Sequence, residues 1–302
     1  MVNLENVLEK NVSKEKNQLK PIDASVYNYW SALYLSFYSR RLYVDVGKRW
    51  HGLGLLYLIL AIALFSIPFF LRTSYSLGES FKQQITEPLS KIPVFYIQNG
   101  VVSFDKPMPY LIKDNKGNVV VVIDTTGTVN DFNHEYPYLT ILINKDKISV
   151  KSPRLNLFFM NNSQPGLGSP LVETFNKEDN LVFDGKKLAE EKSLSSLKYF
   201  SQAILYPMII GMFFSVLLIF FLVLGFLGQV FSSIFFSFKI SFIKSTRLLI
   251  VAGTPMVLLL LSTLAMNLIF IGLGTILFFL LIAYYSFALY ALRSESKQVV
   301  IS

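Results

Sequence analysis

The chain has 302 residues, of which 52% are hydrophobic and only 16% are charged, against roughly 25% charged residues in an ordinary soluble domain. It contains no cysteine, which excludes disulfides, thiolate catalysis, iron–sulfur clusters and zinc–thiolate sites. The net charge of +8 is not gathered on one segment, and residues 72–200 are almost neutral, so we expect no nucleic-acid partner.

The N-terminal part of the chain is first polar and then aromatic. Residues 1–25 form a polar tail that does not resemble a signal peptide, because the first apolar run begins too late. Residues 26–50 carry apolar and aromatic side chains at near-helical spacing, followed by basic residues. This pattern predicts an amphipathic interfacial helix in the lipid headgroup layer, or alternatively a helix packed on the cytoplasmic loops.

The first predicted transmembrane helix occupies residues 51–72. Residues 53–71 contain no ionisable side chain over 19 positions, close to the roughly 20 that span a bilayer core. We therefore expect an uncleaved membrane anchor here, with Pro68 shaping its exit.

The remaining three predicted spans lie within residues 201–302, which are almost continuously apolar. The second span lies within residues 203–226. Serines and a glutamine interrupt the apolar run that follows it, so we interpret residues 228–242 as a bent, partly interfacial continuation. Spans three and four, at residues 248–266 and 275–292, form an antiparallel hairpin. Basic residues flank the predicted cytoplasmic ends, which places both termini in the cytoplasm.

Residues 73–200 are predicted to form an extracytoplasmic α+β domain between transmembrane helices 1 and 2. Hairpins are expected at residues 94–104, 110–124 and 139–151, and the first turns at Asn99-Gly100, because both residue types tolerate positive φ. The apolar run at 119–123 does not alternate, which is typical of a central strand buried on both faces. Residues 181–183 add an edge strand, and helices flank the domain.

Asp124 and Thr125 follow the central strand and open three hypotheses. The sequence Asp124-Thr125-Thr126-Gly127-Thr128 is similar to the phospho-aspartate motif, but it lacks the usual lysine; as an aspartic protease motif it lacks a second carboxylate. The third hypothesis is a strand end whose Asp and Thr side chains cap the next turn. We favour the third and expect no catalytic, cofactor-binding or metal-binding residues.

Pro255 and Arg247 mark the third span. Pro255 follows Gly253-Thr254 and predicts a kink, which either packs helices or forms a hinge beside a cavity. The glycine pairs Gly225/Gly228 and Gly272/Gly274 predict close helix contacts. No ionisable residue lies inside the four predicted spans, which argues against an ion-coupled carrier. Neither histidine, His51 nor His134, has the neighbours of a metal site.

Several short motifs together resemble the uncharacterised bacterial integral membrane proteins of domain-of-unknown-function family 1189. The motifs are Ser36-Phe37-Tyr38-Ser39, Leu42-Tyr43, Trp50 with Gly52, Ile67-Pro68, Ile92-Pro93, Asn99-Gly100, Pro109, Ile123-Asp124-Thr125, Arg247 and Thr254-Pro255. Arg247 and Thr254-Pro255 also look distantly like the Yip1-type membrane region. The resemblance implies a bacterial inner-membrane protein with no established activity or cofactor.

Three functions follow as hypotheses. The first is a non-enzymatic scaffold or regulatory component embedded in the lipid bilayer, whose extracytoplasmic domain binds a membrane or periplasmic protein through residues 107–110 and 132–138. The second is a permease or lipid-handling protein that uses the Pro255 kink and the Gly272–Gly274 turn. The third is an enzyme that uses Asp124. Asn99, Gly100, Asp124, Thr125, Arg247 and Pro255 are the candidate structural or interaction positions.

Overall fold

The computed structural model describes residues 24–132, 135–151 and 170–301, with the side chains of 296–301 outside the description. Residues 1–23 of the predicted polar tail, and His134, therefore lie outside the described residues. Contacts divide the chain into two compact units. We call Met1–Phe69 with Ile209–Ser302 the helical unit, and Phe70–Met208 the sheet unit.

The described residues form helices in chain order as follows: α1 (Tyr29–Leu35), α2 (Arg40–Lys48), α3 (Leu55–Phe65), α4 (Ile67–Phe81), α5 (Glu87–Ser90), α6 (Gly185–Glu190), α7 (Lys192–Phe236), α8 (Phe242–Ala252), α9 (Thr254–Met266) and α10 (Leu273–Ile301). A π-helical segment, Lys82–Thr86, joins α4 to α5.

Two helices in the described part of the chain are long and apolar enough to cross a membrane, namely α7 and the Leu273–Glu295 part of α10. Two bent pairs raise the number to four if each is one span. The first pair is α3 with Ile67–Ser90, bent by 51°, and the second is α8 with α9, bent by 45°. The chain is thus a mixed helix and sheet protein with two to four candidate membrane-spanning helices.

The predicted amphipathic helix at residues 26–50 is wrong as a single helix, because the chain breaks at Ser36–Ser39 into α1 and α2. The side chain of Asn28 caps α1 by accepting from the amide of Ser31, and Ser39 caps α2 by accepting from the amide of Leu42. Such serine and asparagine caps start helices because they satisfy amides that lack an intrahelical partner. The α2 helix packs against the helices α8 and α10, not against the cytoplasmic loops of the alternative hypothesis.

The bent continuation predicted at residues 228–242 is only partly as expected, since α7 continues to Phe236 and the chain leaves the helix only at residues 237–241, before α8. Polar side chains dilute this run but do not break it. Gly225, Gly228 and Ser232 instead form a buried stripe on α7. A Cβ at Gly225 would lie 2.0 Å from Oγ1 of Thr246, so the predicted close helix contact of Gly225 and Gly228 is confirmed. Gly272 and Gly274 make no such contact, since nothing lies within 4 Å of a Cβ at either.

The predicted kink at Pro255 is confirmed as the 45° break between α8 and α9. Pro255 lies in the first turn of α9, where its missing amide hydrogen costs no intrahelical bond. A Cβ at Gly253 would lie 2.5 Å from the ring of Phe221 on α7, so only glycine allows this approach. Residues 245–257 are all buried, and α8 therefore lies inside the helical unit.

The sheet unit contains two sheets. The strands are β1 (Phe95–Gln98), β2 (Val101–Ser103), β3 (Tyr110–Lys113), β4 (Val119–Ile123), β5 (Ile141–Ile143), β6 (Lys147–Val150), β7 (Leu171–Thr174) and β8 (Leu181–Phe183). Their orders are β2-β1-β8 and β3-β4-β5-β6-β7.

The three predicted hairpins are confirmed as β1–β2, β3–β4 and β5–β6, all antiparallel. The strand β4 is central and buried, as predicted, and β8 forms an edge. The parallel pairing of β4 with β5 and the strand β7 were not predicted. One core cluster joins both sheets, with Phe95 stacked on Phe183 at 4.5 Å between ring centroids.

Candidate functional site

The six candidate positions from the sequence do not form one site. Asn99 and Gly100 form the β1–β2 turn, whereas Asp124 and Thr125 follow β4 in the other sheet. Arg247 and Pro255 lie in α8 and α9 of the helical unit. Each place has its own geometry.

Arg247 is buried, with 3% of its surface exposed, and it caps a helix end. Its Nη2 donates to the carbonyl of Gly47 at 3.2 Å and its Nη1 to that of Gly52 at 3.1 Å. The Gly47 carbonyl belongs to the last turn of α2, where carbonyls lack intrahelical partners and attract positive charge. The Nε of Arg247 has no partner. Arg247 thus ties α8 to the end of α2 and to the loop that precedes α3.

A second polar contact crosses the helical unit at the Pro255 break. The hydroxyl groups of Tyr57 on α3 and Thr254 on α9 lie 2.6 Å apart, and the Thr254 hydroxyl also donates to the carbonyl of Val251. A buried hydroxyl without a partner is costly, so this pair fixes α3 against the break. The break between α8 and α9 is therefore stabilised by a side-chain hydrogen bond to α3.

Asp45 was not predicted as important, although it is buried and central to the N-terminal segment. Its carboxylate accepts from the amides of Val26 and Tyr27, each at 3.1 Å, and from the indole Nε1 of Trp50 at 3.1 Å. Nη1 of Arg49 lies 3.4 Å from the same carboxylate. Asp45 is the one acid between the basic residues of α2, which is the signal that could have identified it.

Asp124 caps a turn, as the favoured hypothesis predicted. Its carboxylate accepts from the amide and the hydroxyl of Thr126 at 2.8 and 2.5 Å, and from the amide of Val129 at 2.6 Å. Burial acts to raise the pKa of Asp124, but these hydrogen bonds outweigh it, so the pKa lies below its ordinary value. Thr125 is half-buried at the strand end.

The Asn99-Gly100 turn is fixed by a second turn of the chain. Asn99 and Gly100 have φ of 53° and 75°, and their amides donate to the side chain of Asn180 and to the carbonyl of Asp179. A Cβ at Gly100 would lie only 2.5 Å from the carbonyl oxygen of Asn176. The turn thus orients the three-stranded sheet.

That sheet has an exposed apolar face, which we name the sheet face. It comprises Val94, Tyr96, Val101 and Val182, exposed by 53%, 52%, 39% and 58%. Tyr96 lies between Val182 and Ser103 in register, while Phe95 and Ile97 point to the core.

The described residues of the contact stretches predicted at 107–110 and 132–138 are only partly packed, since Pro107, Glu135 and Pro137 are exposed. Met108 and Tyr110 pack on one core cluster and Phe132 and Tyr136 on another, although Tyr138 is 51% exposed. Within the described residues, no group of three or more His, Asp or Glu side chains is arranged to hold a metal ion.

Comparison with known proteins shows the family. A match to the family described as "Protein of unknown function (DUF1189)" covers residues 30–289. No curated protein and no solved structure matches the chain, and the Yip1-type likeness stays a prediction. The chain, with its helical unit and its sheet unit, belongs to the DUF1189 family.

Proposed function

We propose that this chain is a bacterial inner-membrane protein with four transmembrane segments and both termini in the cytoplasm. Each bent helix pair then counts as one span, so that the four spans lie within α3–α4, α7, α8–α9 and α10. Residues 73–200 lie outside the cytoplasm between the first two spans. The charge pattern supports this orientation, since Arg40, Arg41, Lys239 and Lys244 flank the predicted cytoplasmic ends.

Within that topology the protein is a non-enzymatic scaffold or regulatory component whose sheet unit binds an envelope protein. The sheet face is the observation that carries this proposal. Its four apolar side chains adjoin the polar Gln98 and Ser103 on the same side of the sheet. An apolar centre with polar neighbours is typical of a protein interface, and an aromatic residue at its centre is a frequent hot spot.

The shape of this sheet also favours a protein partner. Both β1 and β8 are part of a three-stranded sheet whose opposite face packs into the core through Phe95 and Phe183. The face is therefore held in place before any partner arrives, which lowers the cost of ordering on binding. The strand β8 lies at the edge of this sheet, where a partner strand could add.

Site-specific photocrosslinking in intact cells tests the partner. A photoreactive amino acid at Tyr96 or Val182 should give the same discrete crosslinked product, whose partner is identified by mass spectrometry. The control position is Leu111, which is exposed by 37% but lies on the other sheet. Tyr96→Lys should remove the product formed from Val182. The same crosslinked product at equal yield from Leu111, or no product from either Tyr96 or Val182, would contradict the proposal.

A permease or lipid-handling role is the second candidate, and the break at Pro255 favours it. The 45° bend and the buried Tyr57–Thr254 pair place polar groups at a bend between apolar helices. Loss of lipid or solute flux in proteoliposomes on Pro255→Ala, with the fold retained, would support this role. Unchanged flux, or none in the wild type, would count against it.

A further inference from the structure

A cavity of about 540 Å³ lies in the helical unit. Its walls are the segment before α1, the polar side of α2 and the C-terminal part of α10. This volume is within the range of small-molecule sites, about 300–1,000 Å³. The cavity is therefore large enough for a phosphorylated headgroup or metabolite.

The walls of this cavity are fixed by internal contacts. Asp45 holds the segment before α1 through the amides of Val26 and Tyr27. On the opposite side α2 packs closely on α10, since a Cβ at Gly47 would lie 2.6 Å from the side chain of Leu292. Internal contacts thus fix two walls of the cavity.

Four cationic side chains line the cavity, against two carboxylates. The cations are Arg40, Arg41, Lys48 and Arg49. Of the two carboxylates, Asp45 is buried and already accepts three N–H groups in addition to its contact with Arg49. Glu295 lies 3.9 Å from Lys48, and both side chains are 44% exposed, so this pair adds little.

The two remaining arginines have no carboxylate partner among the described residues. Arg40 lies over the rings of Phe287 and Tyr290, at 5.9 and 5.4 Å from their centroids, which orients its guanidinium without neutralising it. Arg41 is exposed on the same helix, next to Arg40. The cavity thus presents oriented positive charge that its own carboxylates do not balance.

We propose that this cavity binds a phosphate ester through Arg40 and Arg41. A planar guanidinium matches the oxygens of a phosphate group and forms paired, charge-assisted hydrogen bonds with it. Basic pockets between membrane helices on the cytoplasmic side bind anionic lipid headgroups by the same chemistry. The ligand is a phosphate carried either by an anionic lipid or by a soluble metabolite.

An exposed aromatic stripe in the chain segment before α2 favours the lipid source. Trp30, Tyr34 and Tyr38 follow at four-residue spacing and are exposed by 62%, 58% and 64%. Such amphipathic rings are enriched at the headgroup level of membranes. The stripe lies on α1 and its C-terminal turn, which immediately precede α2.

Ligand-dependent thermal stability of the purified full-length protein in detergent tests the site. The probes are short-chain phosphatidylglycerol, which is anionic, short-chain phosphatidylcholine, which is zwitterionic, and glycerophosphate, which lacks acyl chains. Arg41→Gln is the main variant, because Arg41 makes no hydrogen bond or ion pair within the described residues. Lys244→Gln is the matched control, since it removes one exposed positive charge in the same unit outside the cavity.

Phosphatidylglycerol should stabilise the wild type in a saturable manner, and Arg41→Gln should weaken its apparent affinity about tenfold, which corresponds to about 1.4 kcal/mol. Lys244→Gln should bind like the wild type. Equal stabilisation by glycerophosphate would support the phosphate site with a soluble ligand as its source. Equal binding by Arg41→Gln and the wild type, or equal effects of phosphatidylcholine and phosphatidylglycerol, would overturn the proposal.

Discussion

Gly100 is expected to be far less tolerant of alanine than Gly117, although both residues occupy hairpin turns with positive φ. Their φ values are 75° and 84°, so alanine pays about 1–2 kcal/mol for the left-handed conformation at either position. At Gly100 the new Cβ would also lie 2.5 Å from the backbone oxygen of Asn176, whereas nothing lies within 4 Å at Gly117. Overpacking of this kind costs about 1–3 kcal/mol more.

Gly100→Ala should therefore lower the local opening free energy of β1 and β2 by about 2–5 kcal/mol, and Gly117→Ala should lower that of its own hairpin by about 1–2 kcal/mol. Hydrogen–deuterium exchange of the full-length protein measures both, because local opening is reported residue by residue. The same loss of protection in the two variants would refute the close approach of the two turns. Since β1 and β2 carry the sheet face, Gly100→Ala should also weaken the crosslink from Tyr96.

Three further predictions concern stability. Asp124→Ala should destabilise the protein by about 2–4 kcal/mol near neutral pH. Because folding lowers the pKa of Asp124, its contribution to stability is present above about pH 4 and fades as the pH falls through the pKa of the folded state. Thermal melts of the variant and the wild type should therefore converge in acid. Gly225→Leu should destabilise the helical unit by about 1–3 kcal/mol in detergent unfolding, because its side chain meets Thr246, whereas Gly211→Leu has open space and should behave like the wild type. Tyr57→Phe should cost about 1 kcal/mol in the same assay through the lost hydroxyl contact, and an unchanged midpoint would show that this contact does not stabilise the break.

Local sequence signals predicted much of the sheet unit. Asn99-Gly100 gave the first hairpin because few other residue pairs adopt positive φ, and the unbroken apolar run of β4 indicated burial on both faces. The parallel pairing of β4 with β5 was not predictable in this way, because it depends on contacts across a long connection rather than on a turn. The exposed strand β7 lacks the alternation that marks a half-buried strand.

In the helical unit, composition located the apolar segments but not their breaks or partners. The Gly253–Pro255 break followed from proline chemistry, whereas the break between α1 and α2 depends on the Ser39 cap at the start of α2, within an aromatic helix-like pattern. The roles of Arg247 and Asp45 also escaped prediction. Their partners are backbone groups on distant segments, and periodicity carries no information about such contacts.

Single-cysteine labelling in intact cells tests the proposed topology most directly, because the chain contains no native cysteine. Lys116→Cys places a thiol in the exposed β3–β4 turn, and Lys244→Cys places one at the exposed start of α8. A membrane-impermeant maleimide should label Lys116→Cys, after its passage through the outer envelope, without opening the inner membrane. It should label Lys244→Cys only once that membrane is permeabilised. Labelling of Lys244→Cys in intact cells, or protection of Lys116→Cys, would contradict an extracytoplasmic sheet unit.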